Sequence, residues 1–168
     1  MRRLRKPKKY GRLFDLAETN TNGGDINQKT EKLLLEVVTP TKVELIREVD
    51  YVVAPTIKGM VGILPHHIRL MTLLDTGVLR YKVNNADYYM AVSEGYLEVT
   101  PHKVIIMAEA AELPENIDVE RALAAKRKAE EELHRPLDEK ISFARTQVSL
   151  QRALTRLQVA KKYGRKRE

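Results

Sequence analysis

Cysteine is absent from the 168 residues, and so is tryptophan. Without a thiol there is no disulfide framework, no thiolate metal site and no cysteine nucleophile. Histidine is scarce: His66, His67, His102 and His134 lack the paired helical spacing of metal ligands, so no metal centre is expected. No apolar run approaches the roughly 20 residues that cross a bilayer as a helix. Also missing are a glycine-rich phosphate loop, a Gly-x-Ser-x-Gly elbow and a His-Glu-x-x-His zinc motif. Ser93, Glu94 and His102 come nearest to a triad, but side chains of adjacent turns rarely assemble one.

What the chain does have is charge, unevenly placed. The formal net charge is +7, and Arg2, Arg3, Arg5, Lys6, Lys8, Lys9 and Arg12 precede any acid, while Arg165, Lys166 and Arg167 crowd the other end. Basic tails of this kind attract phosphates or anionic lipid headgroups. A disordered solubilising tail and an Arg-rich targeting segment are the other two accounts of the amino-terminal stretch.

The hydrophobic period changes between Glu112 and Ala122. Before it, short runs rich in β-branched residues are separated by Pro, Gly and Asn: Leu33–Val38, Val43–Ile46, Glu48–Ala54 ending at Pro55, Ile68–Leu74, Val78–Val83, Tyr88–Val92, Tyr96–Val99 and Lys103–Ala110. Such spacing predicts an antiparallel β-sandwich or barrel. Asn84–Asp87 reads as a hairpin turn. Lys58–His67 reads as a loop with an apolar middle, either tucked into the core or exposed for docking. After Pro114, Asn116 or Asp118 is placed to cap a helix, with Glu120 near its positive end.

Two helices follow, broken near His134-Arg135-Pro136-Leu137. The first carries Val119, Ala122, Ala125 or Lys126, Ala129 and Leu133 on one side; the second carries Ile141, Ala144, Val148, Leu150, Leu154 and Leu157. Joined by a short break, they predict an antiparallel hairpin. Its alanine-rich seam offers little transfer free energy, so weak attachment to the sandwich is expected. The division is therefore a basic extension and linker over 1–31, a sandwich over 32–112, a hairpin over 113–163 and a basic tail over 164–168.

Taken together, Val38-Thr39-Pro40, Ala54-Pro55-Thr56, Gly62-Ile63-Leu64-Pro65 with His67, Gly95-Tyr96-Leu97-Glu98-Val99 and the hairpin resemble the epsilon subunit of bacterial and plastid F-type ATP synthases. His66 and Glu94 depart from the pattern, standing where that family generally has glycine. The resemblance implies a non-catalytic rotor subunit on the cytoplasmic face of a bacterial membrane, or its organelle equivalent. It would couple proton transport to ATP synthesis and restrain hydrolysis through a movable hairpin. Implied partners are gamma and the c ring, approached by Gly59, Gly62, Ile63, Leu64, Pro65 and His67. An extended hairpin would meet alpha and beta subunits through the basic second helix, with Lys140, Arg145, Arg152, Arg156 and Lys161. Anionic lipid would meet the basic amino terminus.

The junction Ile117-Asp118-Val119-Glu120-Arg121-Ala122 also resembles the Ile/Leu-Asp-x-x-Arg-Ala pattern by which some family members bind ATP. That resemblance implies a regulatory ATP site of Glu112, Ile117, Asp118, Arg121, Ala122, Lys128, Arg152 and Arg156, with no required cofactor. Lys128 stands where an arginine is expected, a point charge in place of a planar fork. Asp118 as a plain helix cap is the alternative at that position. A basic nucleic-acid-binding β module is the rival function, and it predicts steeply salt-dependent binding to RNA.

Overall fold

Strand alternation organises the first module. In β1 (Leu33–Val38) the odd positions Leu33, Leu35 and Val37 are buried while Leu34 is exposed. A period of two sends successive side chains to opposite faces, so one face builds the core and the other meets the surroundings. A computed structural model describes residues 31–134 and 140–164, with residues 140–142 described by backbone alone. The basic extension and the carboxyl-terminal basic residues from Arg165 onward lie outside the described residues, as does the break at Arg135–Pro136.

Nine further strands follow: β2 (Val43–Val49), β3 (Tyr51–Thr56), β4 (Gly59–Ile63), β5 (Leu70–Leu74), β6 (Gly77–Val83), β7 (Ala86–Val92), β8 (Gly95–Val99), β9 (Lys103–Ala108) and β10 (Ala111–Glu112). Their order is β10-β7-β6-β3-β5-β8-β9-β1-β2, with β4 beside β3. All pairs are antiparallel except β1 with β9. The inward side chains, among them Leu35, Ile63, Leu79, Tyr81, Met90, Leu97 and Ile106, merge into one core. The β6–β7 hairpin turns through Asn84 and Asn85 with φ of 47° and 72°. Two consecutive left-handed residues give the turn whose twist matches its strands.

Three expectations about the strands need correction. The run from Glu48 to Ala54 is two strands, because the chain crosses at Asp50 from the β1 side to the β6 side; Val49 pairs with Leu33 and Tyr51 with Lys82. The next strand does not stop at Pro55 but reaches Thr56. Pro55 sits where β3 leaves β6 for β5, so the ladder does not call on its missing amide. The apolar loop over Lys58–His67 is in its first half a strand, β4, in register with β3 from Thr56↔Gly59 to Val52↔Ile63. Gly59, at φ 106°, supplies the left-handed residue that closes this hairpin.

A 3-10 turn at Pro114–Asn116 leads into α1 (Val119–His134), and α2 (Lys140–Tyr163) returns antiparallel to it before Gly164. On α1 the buried residues are Ala122 and Ala129, with Lys126 and Leu133 half-buried between turns. On α2 the expected apolar stripe holds in part, for Leu150 and Leu157 are half-buried and the Ile141 side chain lies outside the described residues. Ala144, Val148 and Leu154 are exposed, and the buried residues are Thr146, Ala153, Thr155 and Val159. The reason is that α2 is covered on two sides, by α1 and by the sheet around β7 and β6. A helix filling such a slot is selected for small or hydrogen-bonding side chains, so no single greasy stripe marks it.

Candidate functional site

The hairpin meets the sandwich along the α2 face that carries Arg152, Arg156, Val159 and Tyr163. Spacings of four and three residues place these side chains on one side of the helix. Val159 is fully buried against Ala91 of β7 and Ile117, the residue that the 3-10 turn delivers inward. Tyr163 stacks on Tyr89 with ring centroids 3.5 Å apart. This apolar contact is small beside the sandwich core.

Two ion pairs flank it. Arg156 donates from Nε to Glu112 Oε1 at 2.7 Å, with a terminal nitrogen at the same distance in the ion pair, and β10 holds Glu112 by pairing it with Ala91 of β7. One turn earlier, Arg152 donates from Nε to Glu94 Oε2 at 3.1 Å and from a terminal nitrogen to Glu94 Oε1. Thr76 Oγ1 donates to the same Oε2 at 2.7 Å. Partly exposed pairs of this kind contribute about 0.2–1 kcal/mol each, the bidentate one at the upper end. The attachment is therefore stronger than the alanine seam alone implies.

Partial burial pushes the Glu94 carboxyl upward, but hydrogen bonds from Arg152 and Thr76 outweigh it and hold the group below its ordinary value of 4.5. A lowered folded-state pKa contributes stability above the unfolded value and loses it as pH falls through the folded value. The hairpin contact at Glu94 should thus be constant at neutral pH and weaken only below about pH 4.5, which hydrogen exchange of the β7–β8 loop against pH would register.

The proposed ATP-site residues divide into three groups. Glu112 and Arg156 are brought together as a pair, and Arg152 lies one turn from Arg156 but is engaged by Glu94. Asp118 is the cap of α1, its Oδ1 accepting from the Arg121 amide at 2.9 Å; Ala122 is buried, and the Arg121 side chain is exposed. Lys128 stands apart, about 15 Å along the helix from Asp118 at 1.5 Å per residue. It lies on the exposed side of α1, 4.0 Å from Glu132. Sequence reasoning missed Glu94, Thr76 and the Tyr89–Tyr163 stack as attachment points. Glu94 had a signal, since the resemblance read from the sequence implies glycine at its position.

A second surface is apolar and uncovered. Ile57, Met60, Leu64, Ile68, Met71, Leu73 and Tyr96 are all exposed, and Leu73 pairs with Tyr96 across β5 and β8. Of the docking-loop residues, Gly59, Gly62 and Leu64 are exposed and Pro65 and His67 half-buried. Ile63 is corrected: as the inward residue of β4 it belongs to the core and cannot touch a partner. His66 keeps a left-handed backbone at φ 64°, the conformation a glycine would take without strain.

Residues 32–114 match the model of the ATP synthase Delta/Epsilon chain beta-sandwich domain, and residues 115–161 match that of its long alpha-helix domain. The chain belongs to the ATP synthase delta/epsilon family. It is 46% identical over 129 residues to the ATP synthase epsilon chain of Nitratidesulfovibrio vulgaris, an alignment spanning 77% of this chain and 96% of that one. With the Syntrophobacter fumaroxidans epsilon chain the identity is 47% over 132 residues, 79% and 98% of the two lengths. The fold matches a chain in the Euglena gracilis mitochondrial ATP synthase at TM-score 0.67 and 21% identity, covering 96% of this chain and 99% of that one. A chain from the Tetrahymena thermophila central stalk and c ring matches at TM-score 0.52 and 16% identity, covering 81% and 98%.

As an epsilon chain it is a non-catalytic component of the F-type ATP synthase central stalk. No helix among the described residues is long and apolar enough to cross a membrane. In this epsilon chain the basic residues of α2 are not one solvated face: Arg145 and Lys161 are exposed, while Arg152 and Arg156 are turned onto the sandwich. The Lys140 side chain lies outside the described residues.

Proposed function

We propose that this epsilon chain docks through its apolar sheet face onto gamma and the c ring of a proton-driven synthase, and brakes ATP hydrolysis with its hairpin. The observation that carries the docking is the exposed cluster of Met71, Leu73 and Tyr96 on strands whose other face is already a complete core. Uncovered apolar clusters of this extent mark protein contacts. Gly59, Gly62 and Leu64, exposed in and just after β4, would extend the contact. The complex would lie at the cytoplasmic face of a bacterial membrane or its organelle equivalent, with the basic amino terminus toward anionic lipid.

The brake is the hairpin extended along gamma, where Lys140, Arg145, Arg152, Arg156 and Lys161 would face acidic segments of alpha and beta. In the folded posture Arg152 and Arg156 are held by Glu94 and Glu112, so extension must break both pairs. ATP is the regulatory ligand, favouring the folded posture through Arg121, Arg152 and Arg156, with Glu112 and Asp118 as acceptors. Ligand at ten times its Kd would shift the balance by about 1.4 kcal/mol.

Docking is tested by copurification. A tagged chain should bring down gamma and the membrane sector, and the double substitution Leu73→Glu with Tyr96→Glu should lose both by at least tenfold while the isolated chain keeps its circular dichroism. Undiminished copurification of the double variant would refute the docking face.

A further inference from the structure

We propose that Glu94 is a built-in anion that latches the hairpin onto the sandwich by occupying Arg152. The folded posture then needs no nucleotide, and a phosphate reaching that guanidinium must displace a carboxylate already seated there. The first half stands on geometry alone; the second rests on the ATP site proposed above.

Glu94 is prepared for this role by the backbone around it. Its carbonyl accepts from the Glu109 amide at 3.0 Å, and the neighbouring Ser93 amide donates to Ala110 at 2.9 Å, so the β7–β8 loop is pinned to the β9–β10 link. Thr76, itself buried in the β5–β6 connection, fixes Oε2 from the other side. The carboxylate is therefore held in place before α2 arrives, and most of the ordering cost falls on the Arg152 side chain. A guanidinium presents its donors in a rigid fork that loses little further freedom once two are engaged. Both carboxylate oxygens take part, one donor to each.

Arg156 on Glu112, one helical turn away, makes a parallel contact. It differs in that both Arg156 nitrogens converge on the single oxygen Oε1. The two pairs lie on the same face of α2, one at the β7–β8 loop and the other on β10 where it pairs with β7. Losing either should weaken the other, because each limits how far the helix can lift. Glu94 is the better candidate for control, since its position is set by three elements of the sandwich and its partner is the arginine nearer the hairpin tip.

The absence of cysteine makes the test direct. Glu48→Cys on the sandwich and Gln147→Cys on α2, both at exposed positions, accept a donor and acceptor dye in the full chain for single-molecule energy transfer. Without nucleotide the parent should be predominantly in one high-transfer state. Glu94→Gln, which keeps shape and removes charge, should raise the open population about fivefold, the factor that roughly 1 kcal/mol corresponds to. The charge exchange Glu94→Arg with Arg152→Glu should return it toward the parent. An open population unchanged by Glu94→Gln would overturn the latch. Calorimetry with ATP reads the second half: Glu94→Gln should bind severalfold more tightly than the parent, and Arg121→Ala more weakly than both. Equal affinity in parent and Glu94→Gln would overturn the competition. If no variant binds ATP, the nucleotide site fails while the latch is still judged by its opening.

Discussion

Removing residues 113–168 is expected to raise ATP hydrolysis by the assembled synthase several-fold while leaving the shortened chain in the complex. The expectation follows from how burial is divided. The sandwich core closes without any helical residue, since its buried members all lie between Leu33 and Ala111 and only Leu113 packs against it from beyond. The hairpin adds a separate and much smaller cluster in which Ala91, Ile117 and Val159 are the buried members. Truncation thus uncovers Ala91 and Val78 and frees Glu94 and Glu112, costs that fall on the surface of a module whose interior is untouched. The docking face of Met71, Leu73 and Tyr96 is made only by β5 and β8 and remains in place. Equal hydrolysis rates in complexes carrying the full and shortened chains would refute the brake. Loss of the shortened chain from the complex would instead show that the hairpin takes part in docking.

Sequence and structure agree where one physical rule acts alone. Strands β1, β6 and β9 have one face in the core and one out of it, so alternation in Leu33–Val38, Gly77–Val83 and Lys103–Ala108 could be read directly. Asn84-Asn85 announced its turn because few other residues tolerate two left-handed conformations in succession. β4 was hidden because Gly59 and Gly62 weaken any strand signal and only Val61 and Ile63 point inward. The orientation of α2 was hidden for the opposite reason, with two covered faces where a periodicity argument assumes one. Nor can a sequence say which arginines of a basic helix are solvated and which are paired across 58 and 44 residues, as Arg152 and Arg156 are. Asp118 shows the same ambiguity at a single residue. The capping bond to Arg121 accounts for one of its oxygens, and a carboxylate at that place serves a helix terminus whether or not a nucleotide is ever bound.

Gly95→Ala should be the most damaging single change of one methyl group. Gly95 pairs with Ala108 of β9 on one side and Leu74 of β5 on the other, so its surroundings are ladder backbone. A Cβ built there would lie 1.9 Å from the Met107 carbonyl oxygen and 2.9 Å from the Ala108 Cα. Neither atom belongs to a side chain that can rotate away, and moving β9 would break its pairing with β8. Overpacking of this kind costs about 3 kcal/mol or more, a large share of the roughly 5–15 kcal/mol that holds a domain folded. Thermal unfolding should show a sharply lower Tm for Gly95→Ala. Gly62→Ala is the matched control, for nothing lies within 4 Å of its added Cβ, and its effect should stay within about 0.5 kcal/mol. Equal Tm values for the two variants would mean that the β8–β9 approach is looser than the structure draws it. Because Glu94 and Tyr96 flank Gly95, the same methyl group should disturb the latch on one side and the docking face on the other, so hairpin opening and loss of copurification should accompany the fall in Tm.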